Sequence, residues 1–289
     1  MIRVHAPAKI NLYLRICGKT ASGYHLIDSL ICFTDFGDWL NIMPASHDNL
    51  IISGPYADAL TTPMAGPTTS DQADNLVMRA LDAFRQAGGG IGPVEITLDK
   101  HIPVGAGLGG GSADAAALLG ALNQIADRPL DTAALYRIAG MLGADIPVCL
   151  AGGCQRVSNI GDVLAPFTIE PVSNLVLVNP RRPLATKDVF DRFAQNKNAA
   201  TGTNGLDVET NDAARLMKNG NDLLAAARGM IEEIDDVLQQ LRTTPGNLAA
   251  TMSGSGASCF GIYHSPDQAS LAVKQLQHAG YWATATRVK

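Results

Sequence analysis

Between residues 103 and 113 the chain reads Pro-Val-Gly-Ala-Gly-Leu-Gly-Gly-Gly-Ser-Ala, with five glycines among the seven residues from Gly105 to Gly111. Such a run disfavours both helix and strand, because each glycine gives up more backbone freedom than any other residue on being ordered. Its flanks are regular. Val94-Glu95-Ile96-Thr97-Leu98 alternates apolar and polar residues at period two, which predicts a half-buried strand. Residues 113–124 are rich in Ala and Leu and predict a helix. The chain is thus constrained to a strand, a glycine-rich turn and a helix. Glycines let backbone N–H groups approach phosphate oxygens, and the helix adds its positive N-terminal end. Ser112 is the expected N-cap, and Asp114 in the first turn suits the helix dipole. A tight turn alone needs fewer glycines, so a phosphate-binding loop is the better reading.

Three kinds of phosphate loop compete. A Walker A loop ends in Gly-Lys-Ser/Thr, whereas Gly111 is followed by Ser112 and Ala113, which excludes that class. A dinucleotide fingerprint is matched literally by Gly105-Ala-Gly-Leu-Gly-Gly110, but it also needs an acidic residue about 20 positions on, ending a second parallel strand. Asp127 and Asp131 have the spacing yet precede a helix carrying Ala133, Ala134, Leu135 and Ile138. A dinucleotide-dependent oxidoreductase is therefore disfavoured. It stays open as an alternative, as does a non-catalytic nucleotide-binding module.

Length and composition set further limits. A chain of 289 residues, 46% apolar and 17% charged, is more naturally two domains than one core. Its 22 Lys+Arg against 27 Asp+Glu leave a net charge of −5, so nucleic acid is not an expected partner. Cys17, Cys32, Cys149, Cys154 and Cys259 are scattered without Cys-x-x-Cys spacing. That predicts neither a disulfide framework nor a structural zinc, and a reducing compartment. Residues 103–126 carry Asp114 as their only charge, but their glycines make a poor membrane span. Met1-Ile2-Arg3-Val4-His5-Ala6 lacks the apolar core of a secretory signal. A cytoplasmic protein without membrane contact or dedicated metal ligands is expected.

Strands are predicted at 2–4, 10–17, 26–33, 39–43 and 50–53, followed by a loop at 56–74 and a helix at 75–87. A second helix begins near Asp131-Thr132, and the character of the chain changes around 166–173. Beyond it come a buried strand at 175–178, a polar loop at 195–212 and an amphipathic helix at 223–241. Strands at 248–252 and 259–263, a helix at 267–278 and a strand at 282–288 complete an α+β pattern of the ferredoxin-like kind.

The string from Pro103 to Ala113 closely resembles the central motif of the GHMP small-molecule kinases, Pro-x-x-x-Gly-Leu-Gly-Ser/Gly-Ser/Gly-Ser-Ala. Two further motifs stand in that family's order. One is Ala6-Pro7-Ala8-Lys9-Ile10-Asn11-Leu12; the other is Thr251-Met-Ser-Gly-Ser-Gly-Ala-Ser-Cys-Phe260, a second glycine loop between two predicted strands. Gly23-Tyr24-His25, Asp74-Asn75-Leu76, Leu142-Gly-Ala-Asp-Ile-Pro147 and Asn221-Asp222 are similar to the branch acting on a cytidine-diphosphate-linked methylerythritol. Ser22, Cys149 and Asp162 depart from that branch's usual residues.

The resemblance implies a two-domain α+β GHMP kinase fold. Residues 1–167 would form an N-terminal domain like domain 2 of ribosomal protein S5, and 168–289 a ferredoxin-like C-terminal domain. It implies ATP as donor, with Mg²⁺ accompanying it. The phosphates would lie on Pro103, Val104, Gly105, Ala106, Gly107, Leu108, Gly109, Gly110, Gly111, Ser112 and Ala113. The acceptor would be the 2-hydroxyl of the small-molecule substrate. Phosphorylating an alcohol requires alignment, removal of its proton and neutralisation of the phosphoryl charge. The resemblance assigns the base to Asp145, which on sequence alone could instead cap the segment 146–150. It assigns Lys9 to orienting that base and stabilising negative charge; the apolar neighbours Pro7, Ala8, Ile10 and Leu12 predict that Lys9 is buried and paired. Asn11 would position the hydroxyl, and Tyr24, His25 and Phe190 would hold the cytosine, although Phe190 could equally be core packing. Residues 1–27 contain Arg3, Lys9, Arg15 and Lys19 but no Asp or Glu, in keeping with an anionic ligand. Homoserine or mevalonate is the rival acceptor within the family, and neither needs the Tyr24-His25 pair.

Overall fold

The first two strands, β1 (Ile2–Lys19) and β2 (His25–Pro44), are 18 and 20 residues long, where the sequence predicts two short strands in each. The predicted interruptions carry polar residues, but Lys9 and Asp38 are buried within unbroken strands. The computed structural model describes residues 1–61, 75–195, 202 and 205–289. Its chain packs as two units interleaved in sequence: Met1–Ala8, Phe36–Val104 and Gly109–Gly152 in the first; Lys9–Asp35, Gly105–Leu108 and Gly153–Lys289 in the second. A single cut between 167 and 168 does not describe that packing, because β1 and β2 run through both units.

In the first unit, β4 (Val94–Asp99) pairs antiparallel with the C-terminal part of β2, from Trp39 opposite Asp99 to Pro44 opposite Val94. It pairs in parallel with β3 (Asn49–Ser53). Helices α1 (Asp58–Thr61), α2 (Leu76–Gln86), α3 (Gly110–Ile125), α4 (Thr132–Leu142) and α5 (Ile146–Ala151) complete it. Asn75 caps α2 by accepting from the Val77 N–H at 2.9 Å. Leu40, Ile42, Val77, Leu81, Phe84, Ile96, Leu118 and Leu122 form its core. Helix α1 falls in the predicted loop at 56–74, whose residues 62–74 lie outside the described ones.

In the second unit, β5 (Gln155–Asn159) pairs with the N-terminal part of β2, and β6 (Val163–Pro166) pairs with β5. The sequence pattern predicts neither strand. A four-stranded antiparallel sheet has the order β10-β7-β9-β8, with β7 (Leu175–Asn179), β8 (Asn247–Met252), β9 (Cys259–Tyr263) and β10 (Trp282–Thr286). The helices are α6 (Thr186–Gln195), α7 (Ala213–Leu216), α8 (Leu224–Arg228), α9 (Glu233–Thr243) and α10 (Pro266–His278). The helix predicted at 223–241 is therefore two. Gly229 lies between them against the Arg192 guanidinium, which a β-carbon there would strike. Its apolar stripe survives the break: Leu223, Ile231, Ile234, Val237, Leu238 and Leu241 are all in the core. Of the loop predicted at 195–212, residues 196–201, 203 and 204 lie outside the described ones.

Cys32 and Cys154 are joined in a disulfide, with Cα atoms 4.3 Å apart, which corrects the expectation that none would pair. Ile31 stands opposite Gln155 in the antiparallel β2–β5 ladder, so the next pair along is Cys32 and Cys154. That register depends on β5. Cys17, Cys149 and Cys259 take part in no disulfide. Among the described residues no helix is long and apolar enough to cross a membrane.

Candidate functional site

The glycine-rich turn has an alternating backbone. Gly105, Gly107 and Gly109 take φ of 66°, 73° and 68°, the left-handed region that other residues enter only at a cost. Gly109 is the N-cap of α3, so the helix starts at Gly110 and Ser112 sits inside its first turn. The expected Ser112 cap is thus corrected: a left-handed glycine starts the helix earlier than a side-chain cap would. Four successive carbonyls, all of the second unit, accept hydrogen bonds within it. Gly105 O accepts from Leu184 N at 3.3 Å, Ala106 O from Ser258 N at 3.1 Å, and Leu108 O from Lys9 N at 2.9 Å. Gly107 O accepts from the Ser253 hydroxyl at 3.1 Å. The amides of residues 105–108 donate to no protein acceptor among the described residues. With its oxygens engaged and its N–H groups free, the turn has the polarity of an anion-binding nest.

The second glycine loop lies directly on this turn. A β-carbon on Gly107 would stand 2.5 Å from Gly256 O and 2.8 Å from Ser253 O. One on Gly254 would stand 3.2 Å from Lys9 Nζ and 3.3 Å from Asn11 Oδ1. Asn221 fixes the loop's path by donating to Met252 O at 2.9 Å and Gly254 O at 2.8 Å. Beneath it Lys9, 5% exposed, donates from Nζ to Asn11 Oδ1 at 2.8 Å. Asn11 donates to Ser29 Oγ at 2.9 Å, and its backbone N–H to Ser253 Oγ at 3.3 Å. Lys9 is buried and paired as its neighbours predict, and Asn11 is one of its partners.

His25 and Phe190 come together, with ring centroids 5.1 Å apart. Phe193 joins them at 5.7 Å, edge-on to His25. The sequence motifs do not single out Phe193; its spacing of three residues from Phe190 on α6 is the signal that could. Burial, and then the nearby positive charge of Lys19, hold the His25 pKa below its ordinary value, favouring the neutral ring. Its buried Nδ1 has no hydrogen-bond partner among the described residues. Tyr24 is 65% exposed and its ring stacks on no other ring among the described residues. Close by in the strand pair, Arg156 donates to Asp28 from Nη2 at 2.6 Å and from Nε at 3.1 Å. Tyr13 donates to the same carboxylate at 2.8 Å, and burial with this bond raises the phenol's pKa.

Asp145 belongs to the first unit and Lys9 to the second. Asp145 is half-buried at the position before α5, and its side chain makes no capping hydrogen bond there. A purely capping Asp would make one. Among the described residues no group of three or more His, Cys, Asp or Glu side chains is placed to hold a metal ion.

The GHMP kinases N terminal domain family matches residues 75–153 and the GHMP kinases C terminal family residues 208–281. A 4-diphosphocytidyl-2-C-methyl-D-erythritol kinase of Cereibacter sphaeroides is 42% identical over 294 residues, covering 100% of this chain and 99% of the relative. A kinase of the same name from Rhodospirillum rubrum is 38% identical over 286 residues, covering 98% and 91%. A crystal structure of 4-(cytidine 5'-diphospho)-2C-methyl-D-erythritol kinase superposes with a TM-score of 0.81 at 31% identity, with all of both chains covered.

Proposed function

Since this chain belongs to the 4-diphosphocytidyl-2-C-methyl-D-erythritol kinase family of the GHMP kinases, we propose that it transfers the γ-phosphoryl group of ATP to the 2-hydroxyl of that cytidylyl methylerythritol, a step of the non-mevalonate isoprenoid pathway. The observation that carries the donor site is the polarity of residues 105–108, with carbonyls bound and amides free ahead of the α3 N-terminus. Residues 103–113 hold the phosphates through backbone N–H groups, which suits a ligand carrying several equivalent oxygens.

In the transfer the 2-hydroxyl oxygen bonds to the γ-phosphorus as the bond to the bridging β,γ-oxygen breaks, and ADP leaves. Asp145 accepts the hydroxyl proton, and Lys9 neutralises charge on the phosphoryl oxygens. The Lys9–Asn11 hydrogen bond of 2.8 Å fixes both side chains, so that Asn11 orients the acceptor. His25 offers its unpartnered Nδ1 to the cytosine edge, and Phe190 with Tyr24 supplies ring faces. Mg²⁺ accompanying ATP would lie with the phosphates on residues 103–113 and would neutralise charge on the transferring group.

ADP release measured over a panel of alcohols tests this reading. The cytidylyl methylerythritol should be the preferred acceptor, ahead of homoserine, mevalonate and free methylerythritol phosphate. Preference for homoserine or mevalonate would keep the kinase and remove the roles of Tyr24, His25 and Phe190. No ADP release with any acceptor would sink the proposal.

A further inference from the structure

Asp38, Lys100 and Asp114 form a buried ionic cluster in the first unit that none of the steps above uses. Asp38 is fully buried, and Lys100 and Asp114 are each 2% exposed. Lys100 Nζ donates to Asp38 Oδ2 at 2.5 Å and to Asp114 Oδ2 at 2.7 Å. Asp38 Oδ1 accepts from the backbone N–H groups of His101 at 2.5 Å and Ile102 at 2.7 Å. Asp38 therefore holds the strand-side stem of the glycine-rich turn, and the ammonium reaches across to the helix-side stem at Asp114. The crossing is close: a β-carbon on Gly110 would lie 2.9 Å from Lys100 Nζ and 3.1 Å from Ile102 Cγ2.

The cluster is poorly composed for stability alone. Two carboxylates share one ammonium, and Asp114 Oδ1 is buried with no hydrogen-bond partner among the described residues. Buried ion groups of this kind are often replaceable by apolar side chains without loss of stability, and an unpartnered buried oxygen is costly. Burial is the main cause raising the Asp114 pKa, with Lys100 opposing it and Asp38 adding to it, so this carboxyl holds a proton more readily than an exposed one. What the cluster does supply is a fixed distance between the two stems.

We propose that Asp38, Lys100 and Asp114 are positioning residues for the phosphoryl donor: a buried latch that sets the span of the glycine-rich turn so that its amides converge on phosphate. This rests on the reading that ATP binds residues 103–113. Asp114→Ala tests it without leaving an uncompensated charge, because Lys100 keeps Asp38, and alanine suits the Ala-rich α3. The thermal midpoint should hold or rise. The Kd for a non-hydrolysable ATP analogue, adenylyl imidodiphosphate, should rise about tenfold, equivalent to about 1.4 kcal/mol. KM for ATP should rise in parallel while kcat changes little. Asp114→Asn keeps an acceptor for Lys100 and should restore analogue affinity to within about twofold of wild type. Wild-type affinity in Asp114→Ala, or equal losses in both variants, would overturn the latch and leave the ATP site standing. Failure of the wild-type protein itself to bind the analogue would overturn the ATP site and the latch with it.

Discussion

Gly107→Ala probes the loop contact on which the proposed donor site rests. The added methyl meets two obstacles. The φ of 73° costs an L-residue roughly 1–2 kcal/mol. The β-carbon would also stand 2.5 Å from Gly256 O and 2.8 Å from Ser253 O, both backbone atoms that cannot rotate away. The second loop must retreat by most of an ångström, and overpacking of this kind typically costs about 1–3 kcal/mol more. The retreat acts on chemistry too, because Ser253 Oγ bonds Gly107 O and accepts from the Asn11 N–H, while Gly254 lies against Lys9. A displacement of that size next to reacting groups can lower a rate roughly 10²-fold. We expect kcat for ADP release to fall by about that factor, with a stability loss of about 2–5 kcal/mol by urea titration. Gly120→Ala is the control: nothing lies within 4 Å of its β-carbon and it sits inside α3. It should stabilise by up to about 1 kcal/mol and leave kcat alone. If folded Gly107→Ala keeps kcat within about twofold, the reasoning from loop contact to chemistry is refuted.

Asp145→Asn should lower kcat roughly 10²–10⁴-fold with ATP-analogue affinity unchanged, the signature of a lost general base; near-normal turnover in a folded variant would leave Asp145 a structural residue. Phe190→Ala should raise KM for the cytidylyl substrate by roughly 5- to 150-fold and that for ATP by no more than a few-fold, since base stacking contributes about 1–3 kcal/mol; a shift in both constants would place the ring in the core rather than the base pocket. For Asp114 the folded-state pKa is pushed up to about 7 from 3.8, so the folded protein holds a proton there that the unfolded chain has released. Its contribution to stability therefore declines as pH rises from about 4 to about 7 and is flat above. Urea titrations at pH 5 and pH 8 should show wild type losing stability relative to Asp114→Asn over that interval, and a constant difference would contradict the assignment.

The parts legible in the sequence are those in which a residue's neighbours settle its fate. Five glycines between an alternating strand and an Ala/Leu helix leave no structure but a turn, and that turn is present. Lys9 among apolar residues had to be buried and partnered. The features that local pattern does not settle depend on residues far along the chain. Asp38 looks like the end of a strand because polar residues usually mark one; it continues β2 because Lys100 and two backbone amides satisfy it. Asp114 reads as a dipole partner until Lys100 is placed beside it. The Cys32–Cys154 pair and the break at Gly229 likewise needed β5 and Arg192.

The two halves of the proposed reaction differ in this respect for a physical reason. In the proposal phosphate would be held by main-chain N–H groups, so the turn itself needs side chains absent and φ positive, and both demands are written locally as glycine. The requirement at Gly107 is stricter still, since the backbone of residues 253–256 occupies the space its side chain would fill. A nucleobase offers a flat face and a patterned edge, which only side chains can match. In the proposed base site those side chains would come from separate elements: Tyr24 and His25 from around the start of β2 and Phe190 from α6, where Phe193 also meets the His25 ring. The backbone part of the proposed donor site can therefore be read from one short string, whereas the buried cluster that would set its span cannot. The proposed acceptor site needs the packing of β2 against α6, because Phe193 joins it only through the position of the His25 ring.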